Sequence, residues 1–597
     1  MKNKAVMLNK KYLALGLLLA IFLIGTFLRS YNFSDWLHFE LDQSRDAKVI
    51  NLAIDEGIGN LPLLGPKAAG SFLRLGPAFY NTNYLSAKIF GNTPAGHATL
   101  SLIFSCFTIL IFYLLFKRYF KENISLILTA LSALSLFLIM YSRFTWNPNV
   151  IPFFGALTVY SLLSLSDEQE KRRGIWLIIC SVAISIVTQL HFLAFMAIPT
   201  ISFIFIIWKR PKIKIKYWLL AFLTIVLFYT PLIINDFKTG GDNIKEFTKA
   251  FTKKSTKDTH NTIEKIWKDA TENSIGYFLV LTSSSNSELP KLKGTDIQCD
   301  GGCRKNLPLG ILSLAFWGGG LILLAFKLKD SLQHKNEIDT KKKDFIILIS
   351  IWIIISFGIF YPIAYDIAPR FWLLLAPMPF IFLGLYFEKI MLLIKNKKIA
   401  LGLILIILLT ILFSDLKNIT QRFSEMKRSP YEVFDTESDK ILKERNSVTL
   451  EQQLMITDYI QSKYEKNDYP VYINSDPFYR RSFLYHLEDR EIPRDDFRNT
   501  TIGKTVYEEG NYFLIYPALS NTEKDLEKYG PMYDLIEERN FGTLTVFQLA
   551  PKKEAITDLR QEFEPAKKAR SASGVPVRCR WNEIFNQCNP DEILNSK

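Results

Sequence analysis

The residues best suited to chemistry lie in one short stretch, Phe39–Ala47. Within the seven positions 40–46 lie three carboxylates and one guanidinium, those of Glu40, Asp42, Asp46 and Arg45. The stretch follows the first apolar run closely, and charges so near a bilayer are costly unless they face water, a partner or a substrate. A carboxylate held there can act as a general base that takes a proton from an acceptor hydroxyl or amine. The stretch therefore predicts an acid–base site at the membrane surface.

A sugar donor that carries a phosphate would also need cations, because the leaving phosphate must be held and its charge stabilised. Arginines stand at the outer edges of several apolar runs, against the usual distribution of basic residues. We predict that they bind the donor phosphate: Arg45, Arg74, Arg143 and Arg370. The alternative is that they extend to the interface and pair with nearby carboxylates such as Asp35, Asp46 or Asp366.

Apolar runs fill most of residues 12–414, although hydrophobic residues make up 49% of the whole 597-residue chain. Each run has the length that a helix needs to cross the hydrocarbon core of a bilayer. No small-residue cleavage site follows the first run, so it is predicted to be a retained helix. We expect a polytopic α-helical membrane protein with about eleven transmembrane helices, at 12–28, 95–116, 123–141, 149–165, 174–190, 192–208, 217–235, 308–326, 345–365, 371–387 and 399–414.

Lysine and arginine clusters lie at every second loop between these runs, for example at 171–173 and 341–343. This positive-inside pattern explains the formal net charge of +14 and argues against a nucleic-acid partner, which would need a basic folded face. It predicts a multi-pass protein of the plasma membrane with a cytoplasmic N-terminus. The outer face would carry the C-terminal domain and the loops 29–94, 142–148, 236–307 and 366–370.

The composition changes after residue 414, so we divide the chain into a membrane module (1–414), an extracytoplasmic α/β domain (415–550) and a charged tail (551–597). In the α/β domain, hydrophobic periodicity predicts helices at 450–464 and 478–487 and strands at 470–474, 512–516 and 542–549. The domain has no nucleotide-binding glycine motif. Within the outer loops, 46–58, 77–90 and 245–273 are predicted to be amphipathic segments on the membrane surface.

Four of the six cysteines fall on the predicted outer face, where disulfides persist. Cys299 and Cys303 could pair with each other, as could Cys579 and Cys588, and the cross-pairings are equally open. A four-cysteine zinc site is the alternative, although these spacings match zinc motifs poorly.

The membrane module resembles a known family in an ordered set of motifs. They are Asp42-Gln43-Ser44-Arg45-Asp46-Ala47, Gly76-Pro77-Ala78-Phe79-Tyr80, Phe90-Gly91-Asn92-Thr93-Pro94, Tyr141-Ser142-Arg143 with Asn147-Pro148-Asn149, Gln189-Leu190-His191-Phe192 and Pro369-Arg370-Phe371-Trp372. In this order they resemble the GT-C glycosyltransferases of the protein O-mannosyltransferase and lipid A aminoarabinose transferase type. The resemblance implies a GT-C-like fold and an inverting transfer of a sugar from a polyprenyl-phosphate donor. The acceptor would be a protein, a lipid or a cell-envelope glycan on the outer face.

The resemblance also implies roles for individual residues. The catalytic base of the family matches Asp42, and its late arginine, which contacts the lipid phosphate, matches Arg370. Many members have Asp-Glu where this chain has Asp42-Gln43, which leaves Asp46 as the substitute for the second carboxylate. Tyr80, His191 and Glu40 are predicted to contact the substrate.

No cofactor is expected to be required, because a phosphate leaving group needs charge stabilisation rather than a proton. His38, Glu40 and Asp42 alternate, however, so an extended segment would align them and offer a divalent cation a site. Two other functions stay open: a transporter or flippase of a lipid-linked glycan, and a non-catalytic membrane anchor. A transporter would be expected to show internal repeats or polar residues in the middle of its spans, and neither is evident.

Overall fold

The structure is a computed structural model that describes residues 2–68, 73–252, 260–333, 339–436, 439–444, 446–497, 505–520, 523–562, 578–586 and 588. Up to Arg428 it is almost entirely helical. The helices are α1 (Lys2–Ser30), α2 (Leu41–Asp55), α3 (Ala78–Phe90), α4 (Pro94–Phe116), α5 (Glu122–Leu134), α6 (Leu136–Tyr141), α7 (Ile151–Ser166), α8 (Arg173–Val187), α9 (Phe192–Lys209), α10 (Ile215–Lys238), α11 (Asp242–Thr252), α12 (Thr262–Thr282), α13 (Gly301–Gln333), α14 (Thr340–Phe360), α15 (Met378–Leu393) and α16 (Lys397–Arg428).

Within the described residues, eight of these helices are long and apolar enough to cross a membrane, by length and composition. They are α1 from Lys11, α4, α7 with the 3₁₀ turn before it, α9, α10, α13, α14 with the turn after it, and α16. A ninth candidate is the bent pair formed by the 3₁₀ segment Pro369–Leu375 and α15, which meet at 56°. The predicted multi-pass membrane protein is confirmed, whereas the count of eleven stays a prediction.

The remaining predicted spans coincide with shorter apolar helices. The predicted span 123–141 is divided at Ser135 into α5 and α6, and 174–190 corresponds to α8. Ser135 ends α5 and caps α6, accepting a hydrogen bond from the Leu138 N–H at 3.5 Å. The last predicted span ends at 414, but α16 continues to Arg428, because Asp415, Ile419, Arg422 and Met426 keep one side of the helix buried at helical spacing.

The C-terminal domain is a mixed sheet covered by helices, as predicted. Its elements are α17 (Leu450–Asn467), β3 (Val471–Ser475), α18 (Arg480–Asp489), β4 (Arg494–Asp496), β5 (Asn511–Pro517), α19 (Glu523–Tyr529), β6 (Tyr533–Phe541) and β7 (Leu544–Pro551); β1 (Lys291–Lys293) and β2 (Asp296–Gln298) form a separate hairpin. The strand order is β4-β3-β5-β7-β6, with β3 parallel to β4 and β5 and the other pairs antiparallel. The five predicted elements are present, and β4, α19 and β6 were not predicted.

The C-terminal domain packs directly on α2. The Phe39 carbonyl, just before this helix, accepts hydrogen bonds from the Gln453 side-chain amide at 2.8 Å and the Ser482 hydroxyl at 3.0 Å. Further along α2, Asn51 donates to the Tyr485 hydroxyl at 3.1 Å. The charged stretch therefore lies between the membrane module and the C-terminal domain.

Both predicted local disulfides are present, Cys299 with Cys303 and Cys579 with Cys588. Cys106 and Cys180 are buried free thiols within helices. The cross-pairings and the zinc alternative are therefore wrong, since each sulfur is bonded to its near neighbour in the chain. The middle of the tail, which lacks periodicity in the sequence, lies outside the described residues.

Candidate active site

The site is built on the first two turns of α2. Gln43 explains where this helix begins, because its side-chain oxygen accepts a hydrogen bond from the Glu40 N–H at 3.1 Å. Helical spacing of three and four then places Asp42, Arg45 and Asp46 on one side of α2. The guanidinium of Arg45 donates hydrogen bonds to Asp42 at 2.7 Å and to both carboxylate oxygens of Asp46 at 2.9 and 3.0 Å.

The two aspartates differ in their access to solvent. The side chain of Asp42 is 37% exposed, whereas that of Asp46 is 2% exposed. Burial raises the pKa of Asp46, although the charge of Arg45 opposes this shift. Asp42 is thus the carboxylate of this pair that is open to solvent, and Asp46 holds Arg45 in place.

Tyr80, from the start of α3, closes the buried side of this cluster. Its hydroxyl donates to Asp46 at 3.0 Å, and the residue is fully buried. Burial and the negative charge of Asp46 raise the pKa of Tyr80 to about 12, so the phenol stays protonated as a donor. The structure thus gives Tyr80 a role in orienting Asp46, and its predicted stacking on a sugar stays a prediction.

Arg370 approaches the cluster from the 3₁₀ segment Pro369–Leu375. Its guanidinium lies 5.1 Å from the ring centroids of both Trp146 and Phe371, and it lies within electrostatic range of Asp42. Two aromatic rings thus fix the position of this cation without neutralising it. Arg370 is therefore available to an anion near Asp42.

His191 lies within electrostatic range of Arg370. Its ring centroid is 5.3 Å from that of Phe371, and its Nδ1 accepts from the Leu193 N–H at 3.2 Å, which caps α9. Burial, together with the charge of Arg370, lowers the pKa of His191 to about 3, so the imidazole is neutral. The structure gives His191 a capping role, and its contact with substrate stays a prediction.

The other two predicted phosphate-binding arginines lie in different surroundings. Arg74 is buried within electrostatic range of Tyr80, and its guanidinium donates to the Gly65 carbonyl at 3.3 Å. Arg143 is 1% exposed and donates to four backbone carbonyls at the end of α1, those of Leu28, Arg29, Tyr31 and Asn32. The structure therefore does not bring Arg143 to Asp42, because its guanidinium fastens the end of α1.

Two further arginines join the cluster from distant parts of the chain. Arg481, in the C-terminal domain, lies within electrostatic range of Arg45 and Asp42. Arg578, in the tail, lies over the ring of Tyr80 at 5.6 Å. Neither arginine is among the site residues predicted from the sequence, because neither stands beside an apolar run.

The alignment of His38, Glu40 and Asp42 expected from an extended segment is wrong, because α2 begins at Leu41 and directs Asp42 toward Arg45. Glu444 takes its place: ligand atoms of His38, Glu40 and Glu444 lie within 4.8 Å of one another. Glu444 also pairs with Arg422. Burial alone would lower the pKa of His38, but the charges of Glu40 and Glu444 raise it to about 9, so the imidazole is cationic and forms an ion pair with Glu444 in this network of buried charges.

A cavity of about 740 Å³ opens beside this network. It borders the segment that carries Arg370 and the loop that carries Glu444, and both signs of charge line it. Lining residues include Pro369, Trp372, Lys268, Glu272, Lys440 and Glu444. A mixed, polar lining of this kind suits a hydrophilic ligand better than an acyl chain.

Comparison with known proteins finds a matching family model and similar solved structures. Residues 76–234 match the family model of dolichyl-phosphate-mannose-protein mannosyltransferases. The apo oligosaccharyltransferase of Archaeoglobus fulgidus is similar in structure, with a TM-score of 0.51 at 12% identity over 92% of this chain and 75% of that one. ArnT from Cupriavidus metallidurans, bound to undecaprenyl phosphate, matches with a TM-score of 0.48 at 11% identity over 89% of this chain and 97% of that one. No curated protein matches the sequence.

A polytopic membrane module followed by a C-terminal domain with a sheet is the fold that this chain shares with the archaeal oligosaccharyltransferase, and the predicted resemblance to the GT-C glycosyltransferases is confirmed.

Proposed function

We propose that the chain transfers a sugar from a polyprenyl-phosphate donor to an acceptor by a single inverting displacement. The observation that carries this proposal is the placement of one accessible carboxylate, Asp42, among guanidinium groups that converge from α2, the Pro369–Leu375 segment and the C-terminal domain. A carboxylate surrounded by guanidinium groups suits a reaction in which the acceptor loses a proton on one side of the sugar and the phosphate leaves on the other.

In the proposed step, Asp42 takes the proton of an acceptor hydroxyl or amine while the acceptor atom forms a bond to the anomeric carbon. The bond between that carbon and the phosphate oxygen breaks, and the electron pair leaves with the polyprenyl phosphate. The charge that develops on the phosphate is met by Arg45 and Arg370. Asp46 and Tyr80 act as positioning residues, because they hold Arg45 and do not reach solvent.

The acceptor, by this proposal, enters from the water-facing side through the polar cavity beside Arg370. We place the protein in the plasma membrane with a cytoplasmic N-terminus and an extracytoplasmic C-terminal domain, because basic clusters then face the cytoplasm. The acceptor would be a protein, a lipid or a cell-envelope glycan on that outer face.

Transfer can be separated from transport in one assay. The purified protein is incubated in detergent with a panel of polyprenyl-phosphate sugars and crude envelope acceptor, and released polyprenyl phosphate is measured. Detergent removes any compartment, so a transporter would leave every donor intact. Consumption of one donor with transfer of its sugar supports the proposal, and an intact panel contradicts it.

We propose further that transfer requires no metal cofactor, since guanidinium groups meet the charge of the leaving phosphate. We therefore expect EDTA to leave the initial rate within about twofold of the untreated enzyme, a difference too small to reflect loss of a metal that polarises the substrate. The measurement is the initial rate before and after EDTA, with Mg²⁺, Mn²⁺ or Zn²⁺ added back. Loss of activity that one ion restores would contradict the proposal and direct attention to His38, Glu40 and Glu444.

Replacement of Arg370 by alanine is expected to raise the KM for the donor by about 10- to 100-fold, the effect of one charge-assisted hydrogen bond to phosphate. Arg370→Lys keeps the charge but loses the planar fork, so its KM should lie between the two. Steady-state kinetics with varied donor check this. An unchanged KM in the alanine variant would mean that Arg370 does not contact the donor.

A further inference from the structure

Three large apolar side chains stand exposed around the last turn of α10, where this candidate span ends. Phe237 belongs to that turn, Ile244 belongs to α11, and Phe585 belongs to the tail loop, which we define as residues 578–586 and 588. Their exposed fractions are 88%, 58% and 95%. A single exposed apolar residue is ordinary, but several at one place mark a surface that another phase or partner covers. We call these three side chains the interfacial patch.

The last turn of α10 fixes the position of α11. The Oδ1 atom of Asp236 accepts hydrogen bonds from the N–H groups of Asn243 at 3.0 Å and Ile244 at 3.2 Å, at the start of α11. One turn after Ile244, the ring of Phe247 packs against that of Phe195 in the first turn of α9, with centroids 5.6 Å apart. The helix α11 therefore lies across the ends of two candidate spans, α9 and α10.

The same turn of α10 holds the tail loop. The side-chain oxygen of Asn235, which is fully buried, accepts a hydrogen bond from the Cys579 N–H at 3.0 Å. Lys238 donates to the Asn586 carbonyl at 3.3 Å, one residue after Phe585. The tail loop is thus attached to α10 near both of its ends, and Phe585 lies at the level where the span ends.

The tail loop is also closed and fastened from a second side. A disulfide joins Cys579 to Cys588. The Leu63 N–H donates to the Cys579 carbonyl at 2.9 Å, and the Trp581 N–H donates to the Leu61 carbonyl at 3.2 Å, so the loop pairs with the stretch after α2. Phe585 is therefore presented by a closed, hydrogen-bonded loop and not by a free chain end.

The helix α10 sets the depth of the patch in the bilayer. Leu223, Val226, Ile233 and Phe237 are exposed on one side of this helix at helical spacing, and only 11% of its apolar window is buried in the protein. That side faces lipid. The 20 residues from Tyr217 to Phe237 rise about 30 Å, which is the thickness of the hydrocarbon core. Phe237 therefore lies where acyl chains meet headgroups.

We propose that the interfacial patch inserts into the bilayer at this boundary, on the side of the membrane where α2 lies. The occupant is lipid because the patch continues the lipid-facing side of α10 and begins at the depth where that side leaves the hydrocarbon. Aromatic side chains are favoured at this depth, and surface segments bury their apolar side chains there. The inference does not depend on the proposed function, since it concerns the bilayer and not the donor.

Photocrosslinking of the full-length protein in nanodiscs of phosphatidylcholine and phosphatidylglycerol tests this inference. Phe585 is replaced by p-benzoylphenylalanine, which bonds to C–H groups in contact with it under light, and lipid adducts are measured by mass spectrometry. We expect about fivefold more lipid adduct than at a water-facing control position, because acyl chains are in reach only of side chains inserted at the interface. The same replacement at Ile244 should give the same result.

Leu559 is the matched control, because its side chain is 58% exposed but lies away from the membrane module. The next residue, Arg560, donates to the Asp468 carbonyl at 2.8 Å, just past the end of α17. The opposite end of α17 is the one bound to the membrane module, where the Leu450 N–H donates to the Leu37 carbonyl at 3.1 Å. A helix of 18 residues separates the two ends by about 27 Å.

Leu227, which is 70% exposed on the lipid-facing side of α10, is the reference position that must form lipid adducts. Adducts at positions 585 and 244 well above those at 559 support the inference. Adducts no more frequent than at 559, while 227 reacts, would overturn it. Crosslinks from 585 to a second copy of the chain in place of lipid would also overturn it, because the patch would then be an interface between copies. Each of these results leaves the proposed transfer reaction untouched.

Discussion

Replacement of Asp42 by asparagine is expected to lower kcat by about 10²- to 10⁴-fold, the usual contribution of a general base. The amide keeps the size of the side chain and can still accept a hydrogen bond from Arg45, but it cannot take the acceptor proton. Because the donor phosphate is held by guanidinium groups, the Kd for undecaprenyl phosphate should change little. Initial rates and binding are measured on the same preparation.

The matched control for this variant lies on the same helix. Asp55→Asn alters an exposed carboxylate at the other end of α2, and its rate should equal that of the wild type. Asp46→Asn should impair both binding and rate, because Arg45 loses the bidentate partner that orients it. An Asp42→Asn enzyme with normal kcat would contradict the assignment of the base.

Replacement of Glu444 by glutamine is expected to destabilise the folded protein by about 3 kcal/mol, the lower end of the cost of leaving a buried charge without its partner. Glu444 pairs with both His38 and Arg422, and both partners would lose their closest carboxylate. The loss of stability is not expected to be larger, because Arg422 keeps a second carboxylate partner, Glu425, at 3.5 Å. The free energy of unfolding of the purified protein in detergent is the quantity to measure.

The control is Glu488→Gln, which removes an equally direct ion pair from the surface. Glu488 pairs with Lys48 and Arg494, but its side chain is 45% exposed, so the expected loss is about 0–1 kcal/mol. Equal losses of unfolding free energy in the two variants would contradict the claim that burial makes the ion pairs of Glu444 costlier to break than those of Glu488.

Local pattern predicted most of the fold. The apolar runs located the helices of the membrane module, and alternation and periodicity located five elements of the C-terminal domain. The two disulfides were among the pairings that the sequence left open. These features were accessible because each depends on residues that are close together in the chain.

The site was predicted only in part, because its contacts are distant in sequence. Asp42, Arg45 and Asp46 could be recognised because they lie within five positions. The pairing of His38 with Glu444 spans 406 positions, and nothing local indicates it. The alternation of His38, Glu40 and Asp42 would align them only on an extended segment, whereas the 42, 45, 46 spacing of charges is a helical pattern that indicates α2.

The proposed single displacement determines the stereochemistry of the transfer. One accessible base and one displacement require the sugar to change anomeric configuration when it leaves the phosphate. Once a donor is found, NMR of the early product compares its anomeric configuration with that of the donor. We expect inversion, and a product that retains the configuration of the donor would contradict the single displacement assisted by Asp42.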